Sequence, residues 1–341
     1  MAPQNSCPPK LLYVSDDEPG FIRQRWGRGF IYRDLEGKRV TDEKLIRRIK
    51  KLVIHPMWNH VWICTKEKGH LQVTGQDLKG RKQYLYHPEW SQYRQETKYN
   101  KLVEFGRKLP VIRKRLMEHI ELRGWPKERI LALIVMILDE HYIRIGNKHY
   151  EHENQTYGLT TMRRKHLSQK NGKLFLSYKA KSGKYREVQV HSKKLVRLIK
   201  KISELPGYEI FKYQDEMKNS HPLDSNDVNR YLEEISGEYF TAKNFRTWGG
   251  TVLAIDHYEA VMKAVKENPR LNLETNLVKR VAETLGNTVA TCRAYYIHPK
   301  VLEAIVNDEI AKYKKLPVPA LKFGSMLSYN EKLVLKIIGS G

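Results

Sequence analysis

Cysteine is scarce in this sequence: Cys7, Cys64 and Cys292 are the only three in 341 residues, and no two have paired ligand spacing. So small and scattered a set excludes a disulfide framework and a cysteine-based zinc site, and it points to a reducing cytoplasm. Long apolar runs are missing too. The longest, Ile130 to Leu138, falls far short of the ~20 residues that cross a bilayer, and the opening MAPQNSCPPK has no apolar signal core. The chain therefore reads as soluble and cytoplasmic, with no membrane partner. His141, His149 and His152 crowd one polar stretch, but not at zinc-binding intervals, so no metal is expected. Ser182, Gly183 and Lys184 end like a phosphate loop, yet that motif needs Gly where Tyr178 stands and Ser or Thr where Tyr185 stands. No nucleotide cofactor is expected either. There is no internal repeat, no low-complexity tract, and no heptad to suggest an obligate partner, so the default reading is a monomer.

Acidic residues are also too few to balance the basic ones. The chain has 62 Lys and Arg against 38 Asp and Glu, a net charge of +24. Such an excess implies a polyanionic partner. Residues 1 to 100 carry 19 Lys and Arg against 11 Asp and Glu, or +8, which leaves +16 for the rest. The charge is thus spread along the chain, and 20 Tyr and 6 Trp are interleaved with it, unlike a disordered basic arm. Length and a 40% hydrophobic content allow two globular domains, each with its own core.

The expected fold class is α+β: a small antiparallel-sheet domain, residues 1–97, followed by a mainly helical domain, residues 98–341, with a small three-stranded sheet. Short strands are expected at Leu11 to Val14, Phe21 to Arg25 and Phe30 to Arg33, with a hairpin turn at Leu35, Glu36 and Gly37 leading to Lys38 to Val40. Thr41 is placed to cap a helix with Leu45, Ile46, Ile49 and Leu52 as its buried stripe. Three more strands follow at Val61 to Thr65, Leu71 to Thr74 and Gln83 to Tyr86. Around the last, Lys79, Arg81 and Lys82 alternate with Tyr84, Tyr86 and Trp90, a pattern suited to holding phosphates while rings pack on sugars or bases. The polar run Gln92 to Asn100 reads as the link between domains.

Beyond it, Pro126 opens an apolar core helix over Ile130 to Leu138. Strands at Lys165 to Ser168, Leu174 to Tyr178 and Arg186 to Val190 form the small sheet, with Lys181 on the turn between the last two. Helices are expected at Lys193 to Glu204, Asn226 to Ile235, from Ala242 onward, at Leu277 to Leu285 and at Val301 to Lys314. The order of the tail from Leu327 is left open. In TLGNTVATCRAYYIHP, Thr284 to Pro299, two adjacent tyrosines follow a helical run that Asn287 is placed to cap. A phenol, with a pKa of ~10, becomes a nucleophile at neutral pH only where cations and donors stabilise the charge that develops. Cations of that kind stand in HYIRIGNKHY, YKAKSGKYR and AKNFRTWGGT.

Taken together and in this order, these segments resemble the type IB DNA topoisomerases of the bacterial and poxviral kind, over about Gly20 to Lys315. The resemblance implies Arg144 in IRIGN as the first catalytic arginine, Lys181 in AKSGK as the catalytic lysine and Arg246 in NFRTWGG as the second arginine. The nucleophile would be Tyr296, nine residues after Asn287 in LGNT. Many relatives have histidine at the Asn287 position; an amide donates without a titratable charge. The implied reaction is attack of Tyr296 on a phosphodiester of duplex DNA, giving a 3′-phosphotyrosyl link that is later resealed without ATP or metal. A tyrosine recombinase is the nearest rival, but recombinases usually carry a helical domain where residues 11 to 86 read as sheet. A catalytically silent DNA clamp fits the charge equally well. Singly, each residue has a plainer explanation: a surface arginine, a turn lysine, a helix cap, a core aromatic.

Overall fold

Alternating side chains build the first sheet. In the computed structural model, which describes residues 10–317 and 320–340, β1 (Phe21–Trp26) and β2 (Gly29–Arg33) form an antiparallel hairpin. After α1 (Glu43–Lys51) come β3 (Asn59–Ile63), β4 (Leu71–Gln76) and β5 (Lys82–Tyr86), giving one sheet in the order β2-β1-β3-β4-β5. Successive residues of β3 point to opposite faces. Val61 and Ile63 pack with Ile49 of α1 and Val73, while Trp62 joins Val14, Cys64 and Leu71 on the other side. Trp62 also donates from Nε1 to the Glu18 carbonyl at 2.8 Å.

Several local expectations shift here. The strand at Leu11 to Val14 is only a parallel bridge between Leu12 and Gly69, and Lys38 to Val40 reduces to a bridge between Arg33 and Arg39. Asp42, not Thr41, caps α1, accepting from the Lys44 amide at 2.8 Å. Cys7 lies outside the described residues. The chain divides into two compact units, one through Lys98 and one from Tyr99 onward. The helical periodicity that runs from Pro88 to about Leu122 is α2 (Pro88–His119), and the linking run Gln92 to Asn100 lies within it.

The second unit is mostly helical. After α2 come α3 (Lys127–His141) and α4 (Lys148–Asn154), then β6 (Leu167–Lys170), β7 (Lys173–Lys179) and β8 (Tyr185–Val190), an antiparallel sheet in that order. Next are α5 (Lys193–Ser203), the short strands β9 (Lys212–Gln214) and β10 (Ser220–Pro222), α6 (Ser225–Ser236), α7 (Ala242–Glu267), α8 (Leu273–Leu285) and α9 (Val289–Tyr295). The described chain closes with α10 (Pro299–Val306), α11 (Ile310–Lys314) and α12 (Tyr329–Gly339). Pro126 is the cap of α3, not its first residue. Lys165 and His166 belong to a 3-10 turn before β6, and Val301 to Lys314 is broken at Asn307, Asp308 and Glu309. The β9–β10 pair and α4 have no counterpart in the sequence reading, and the tail left open from Leu327 contains α12.

α3 runs through the core, with Ile130 to Val135 and Ile137 and Leu138 all buried. A buried charged network fastens the surrounding helices. Arg113 of α2 pairs with Asp139 of α3 at 2.7 Å and with Glu331 of α12 at 2.7 Å, and Trp248 of α7 donates to Glu331 at 3.1 Å. Arg113 holds the Glu331 carboxyl below its ordinary range against the opposing effect of burial. Removing Glu331 leaves Trp248 Nε1 and the Arg113 donors that it accepts from without their acceptor. Glu331→Ala is therefore expected to destabilise the second unit by about 3 kcal/mol in urea unfolding; a loss below about 1 kcal/mol, the scale of an exposed pair, would contradict this account of α12.

Candidate active site

Four helix ends meet at the site. α3 stops where Tyr142 takes the left-handed conformation (φ 52°), which turns the chain into the loop that carries Arg144. That loop is pinned from the far side: the Leu159 amide donates to the Arg144 carbonyl at 3.0 Å and the Thr160 amide to the Ile145 carbonyl at 2.7 Å. Gly158 is pressed against the backbone of Arg144 and Gly146 so closely that a Cβ there would overlap both. Arg246 comes from the first turns of α7 and is 3% exposed. Two glycines let neighbours approach that helix: a Cβ on Gly249 would meet the Tyr142 ring, and one on Gly250 the Tyr296 carbonyl.

α8 ends at Gly286 (φ 64°), and the Asn287 amide donates back to the Ala282 carbonyl at 2.9 Å. The side chain of Asn287 is thereby free of any capping role. Thr288 caps α9 instead, accepting from the Thr291 amide at 3.2 Å, which corrects the expectation that Asn287 does so. Asn287 Oδ1 accepts from Nη2 of Arg144 and, at 3.3 Å, from Nη2 of Arg246. Because guanidinium groups only donate, this fixes the amide orientation and leaves Nδ2 as the buried donor of the pair.

Arg246 also donates to the carbonyls of Tyr142 and, at 3.0 Å, Leu285. Every one of these acceptors is neutral. Among the described residues, neither Arg144 nor Arg246 pairs with a carboxylate, so their charge is not cancelled. Burial lowers the pKa of Arg144, and burial together with the neighbouring Arg144 brings that of Arg246 to about 10. Three donors have no partner: Arg144 Nη1, Arg246 Nε and Asn287 Nδ2. Buried donors without acceptors are costly, and a cluster of them beside two like charges is suited to an oxyanion.

Tyr296 follows α9 directly. Its half-buried ring packs on the core and lies 5.2 Å from the Arg246 guanidinium carbon, whereas Tyr295 is 56% exposed. Of the five residues singled out from the sequence, the fold thus gathers Arg144, Arg246, Asn287 and Tyr296. Lys181 stands exposed in a 3-10 turn between β7 and β8, in no hydrogen bond with the other four among the described residues. The residue that sequence reasoning passed over is Arg186, within the quoted YKAKSGKYR, which donates to the Thr284 carbonyl at 2.7 Å and the Leu285 carbonyl at 3.1 Å.

In the first unit, Tyr84 and Tyr86 are exposed and stacked, with centroids 6.0 Å apart. Two of the cations beside them are already paired: Arg81 with Asp77 at 2.6 Å and Lys82 with Asp16 at 2.6 Å. Lys79 is exposed at the turn, where its amide donates to Asp77 at 2.9 Å. Trp90 is buried against His70 with centroids 4.6 Å apart, and so does not serve as an outward ring. No group of His, Cys, Asp or Glu suited to a metal occurs among the described residues, and none of the helices is long and apolar enough to cross a membrane.

A site of this form, two arginines and an amide beside a tyrosine on a helical unit, is one suited to chemistry on a phosphodiester. Comparison with known proteins makes the class specific. Residues 87–317 match the family described as eukaryotic DNA topoisomerase I, catalytic core, and residues 29–77 match the bacterial DNA topoisomerase IB N-terminal domain. The chain belongs to the type IB DNA topoisomerase family, and is accordingly an isomerase acting on DNA. It is similar to DNA topoisomerase 1B of Acanthamoeba polyphaga mimivirus, 28% identical across 85% of this chain and 88% of the relative. DNA topoisomerase 1 of rabbit fibroma virus is 25% identical across 82% and 90%. A solved structure of XerH site-specific recombinase bound to difH substrate aligns with 58% of this chain and 52% of that one, at 18% identity and a TM-score of 0.35, too slight a likeness to bear on the fold.

The close fit of Gly158 against the Arg144 loop gives a test of the geometry. Gly158→Ala must push that loop aside, and a displacement of about 1 Å at a catalytic group costs on the order of 10²-fold in rate. Single-turnover strand cleavage is expected to fall by that order with duplex affinity retained; a wild-type rate would show that the loop position does not matter.

Proposed function

We propose that this enzyme relaxes supercoiled duplex DNA by transient cleavage of one strand through Tyr296, with no need for ATP or metal. The observation that carries this reading is the set of unpartnered donors, Arg144 Nη1, Arg246 Nε and Asn287 Nδ2, beside the half-buried Tyr296 ring. The phenol oxygen of Tyr296 attacks a backbone phosphorus in line and loses its proton to solvent. Arg144 and Arg246 hold the non-bridging oxygens as their negative charge grows, and Asn287 adds a neutral hydrogen bond. Lys181 gives a proton to the departing 5′-oxygen, so that a 5′-hydroxyl and a 3′-phosphotyrosyl ester result. The ester keeps the energy of the bond it replaced. After the free end has swivelled about the intact strand, the 5′-hydroxyl attacks the ester and restores the phosphodiester.

Basic residues in both units support a duplex partner contacted by each, with Lys79, Arg81, Lys82, Tyr84 and Tyr86 contributing from the first. Arg81 and Lys82 would exchange their carboxylate partners for phosphate. Binding should weaken with salt by ~0.9 log units per displaced counterion per log unit of salt. The protein is expected to act in the cytoplasm as a monomer.

Denaturing the protein on end-labelled DNA tests the covalent step: label should stay with the wild type and with Tyr295→Phe, and be lost in Tyr296→Phe without loss of non-covalent binding. An adduct from Tyr296→Phe would overturn the assignment, and no adduct from the wild type would leave only a DNA clamp. Relaxation should persist in a chelator without nucleotide, and a requirement for either would contradict the reading.

Asn287→Asp places a carboxylate between the two arginines, where it pairs with them and repels the phosphate. Its cleavage rate is expected to fall by about 10²-fold or more, the scale for a lost oxyanion donor. Across about pH 5.5 to 7.5 the wild-type rate should show no ionisation from residue 287, because an amide has none there. Asn287→His is expected to remain active and to gain a limb in that window.

A further inference from the structure

Among the described residues, no hydrogen bond or ion pair holds the side chain of Lys181. Its turn is internally tight, with the Ala180 amide donating to the Lys184 carbonyl at 2.7 Å and the Gly183 amide to the Ala180 carbonyl at 3.1 Å. Where the lysine stands therefore depends on where the β7–β8 hairpin stands. β7 is anchored by Leu174, Leu176, Tyr178 and Ala180 in the core, and by the Tyr157 amide on the Lys179 carbonyl at 2.8 Å. The turn-proximal end of β8 pairs with β7, Lys179 opposite Tyr185 and Ser177 opposite Glu187, but Tyr185 and Glu187 are exposed and give it no hold on the core. Its inward residue is Arg186.

The Arg186 guanidinium donates to the carbonyls of Thr284 and Leu285, at 2.7 and 3.1 Å, at the carboxyl end of α8. Helix ends leave such carbonyls unsatisfied and electronegative, so a cation there is stabilised twice over. The Leu285 carbonyl also accepts from Arg246 at 3.0 Å, and Lys184 Nζ reaches the Asn287 carbonyl at 3.2 Å. Gly286 admits this approach: a Cβ there would meet the Arg186 side chain at 2.9 Å. One helix end thus ties together β8, Arg246 and the residue that carries Asn287.

We propose that Arg186 is a positioning residue for strand cleavage, clamping β8 to the end of α8 and so setting Lys181 against the arginine pair and Tyr296. The inference rests on the proposed role of Lys181 as proton donor, and the test separates the two. Each terminal nitrogen of Arg186 gives an N–H to a backbone carbonyl, which holds the guanidinium against the end of α8.

The test compares two duplexes identical except that, at a mapped cleavage site, one carries sulfur in place of the 5′-bridging oxygen. A thiolate leaves without a proton and needs no acid. On the all-oxygen duplex, Arg186→Ala is expected to cleave about 10²-fold more slowly, the scale of a lost general acid. On the sulfur duplex it is expected to recover to the wild-type rate, as is Lys181→Ala. If Lys181→Ala recovers and Arg186→Ala stays slow, the positioning role is overturned. If Lys181→Ala itself stays slow, the proton-donor reading fails and the inference falls with it. A wild-type rate for Arg186→Ala on ordinary DNA also overturns it. Should the alanine variant fail to fold, Arg186→Lys, which keeps a donor for one carbonyl, is carried through the same comparison with the same outcomes decisive.

Discussion

Two guanidinium groups converge on one amide oxygen, and much of the second unit is arranged to keep them there. Arg144 and Arg246 both donate to Oδ1 of Asn287, with backbone carbonyls from Tyr142 and Leu285 completing the support of Arg246. Like charges this close repel, and the lowered pKa of Arg246, about 10, reflects burial and that repulsion. A carboxylate would relieve it at once, and none of the described residues supplies one. Neutral acceptors orient the arginines while leaving their charge for a ligand, which is how a site for a single anionic group differs from a structural ion pair. The Arg113 network in the same unit shows the contrast: there two carboxylates, Asp139 and Glu331, enclose the arginine and leave none of its charge for a ligand.

The geometry depends on how helices end. Tyr142 and Gly286 both adopt the left-handed conformation, so α3 and α8 stop abruptly and present their last carbonyls to the site. Thr288 then starts α9, whose end delivers Tyr296, and Gly249 and Gly250 allow α7 to pack against Tyr142 and the Tyr296 backbone. None of these residues need touch a substrate for their replacement to disturb the reaction.

Much of this was legible in the sequence, to different degrees. Alternation gave the strands of the two larger sheets within a residue or two, because one-sided burial imposes period two. Leu12 and Arg39, by contrast, make single bridges where strands were expected, since short apolar stretches do not reveal whether a partner strand lies beside them. The Asn287 position was recognisable by its motif, but the cap reading failed because Thr288, one residue on, is an equally good cap and is better placed once Gly286 has closed α8. The pairing of Lys82 with Asp16 joins residues far apart in sequence, which no local pattern announces. Arg186 lay within a stretch already noted, yet its partners are backbone carbonyls nearly a hundred residues away and carry no sequence signal.

The central claim is that the unpartnered donors are a seat for one phosphate. A crystal structure of Tyr296→Phe with an uncleaved duplex tests it most directly. Arg144 Nη1, Arg246 Nε and Asn287 Nδ2 should each lie within about 3.2 Å of non-bridging oxygens on a single phosphodiester. A duplex bound with those donors still unpartnered, or with the nearest phosphate held by other residues, would contradict the account.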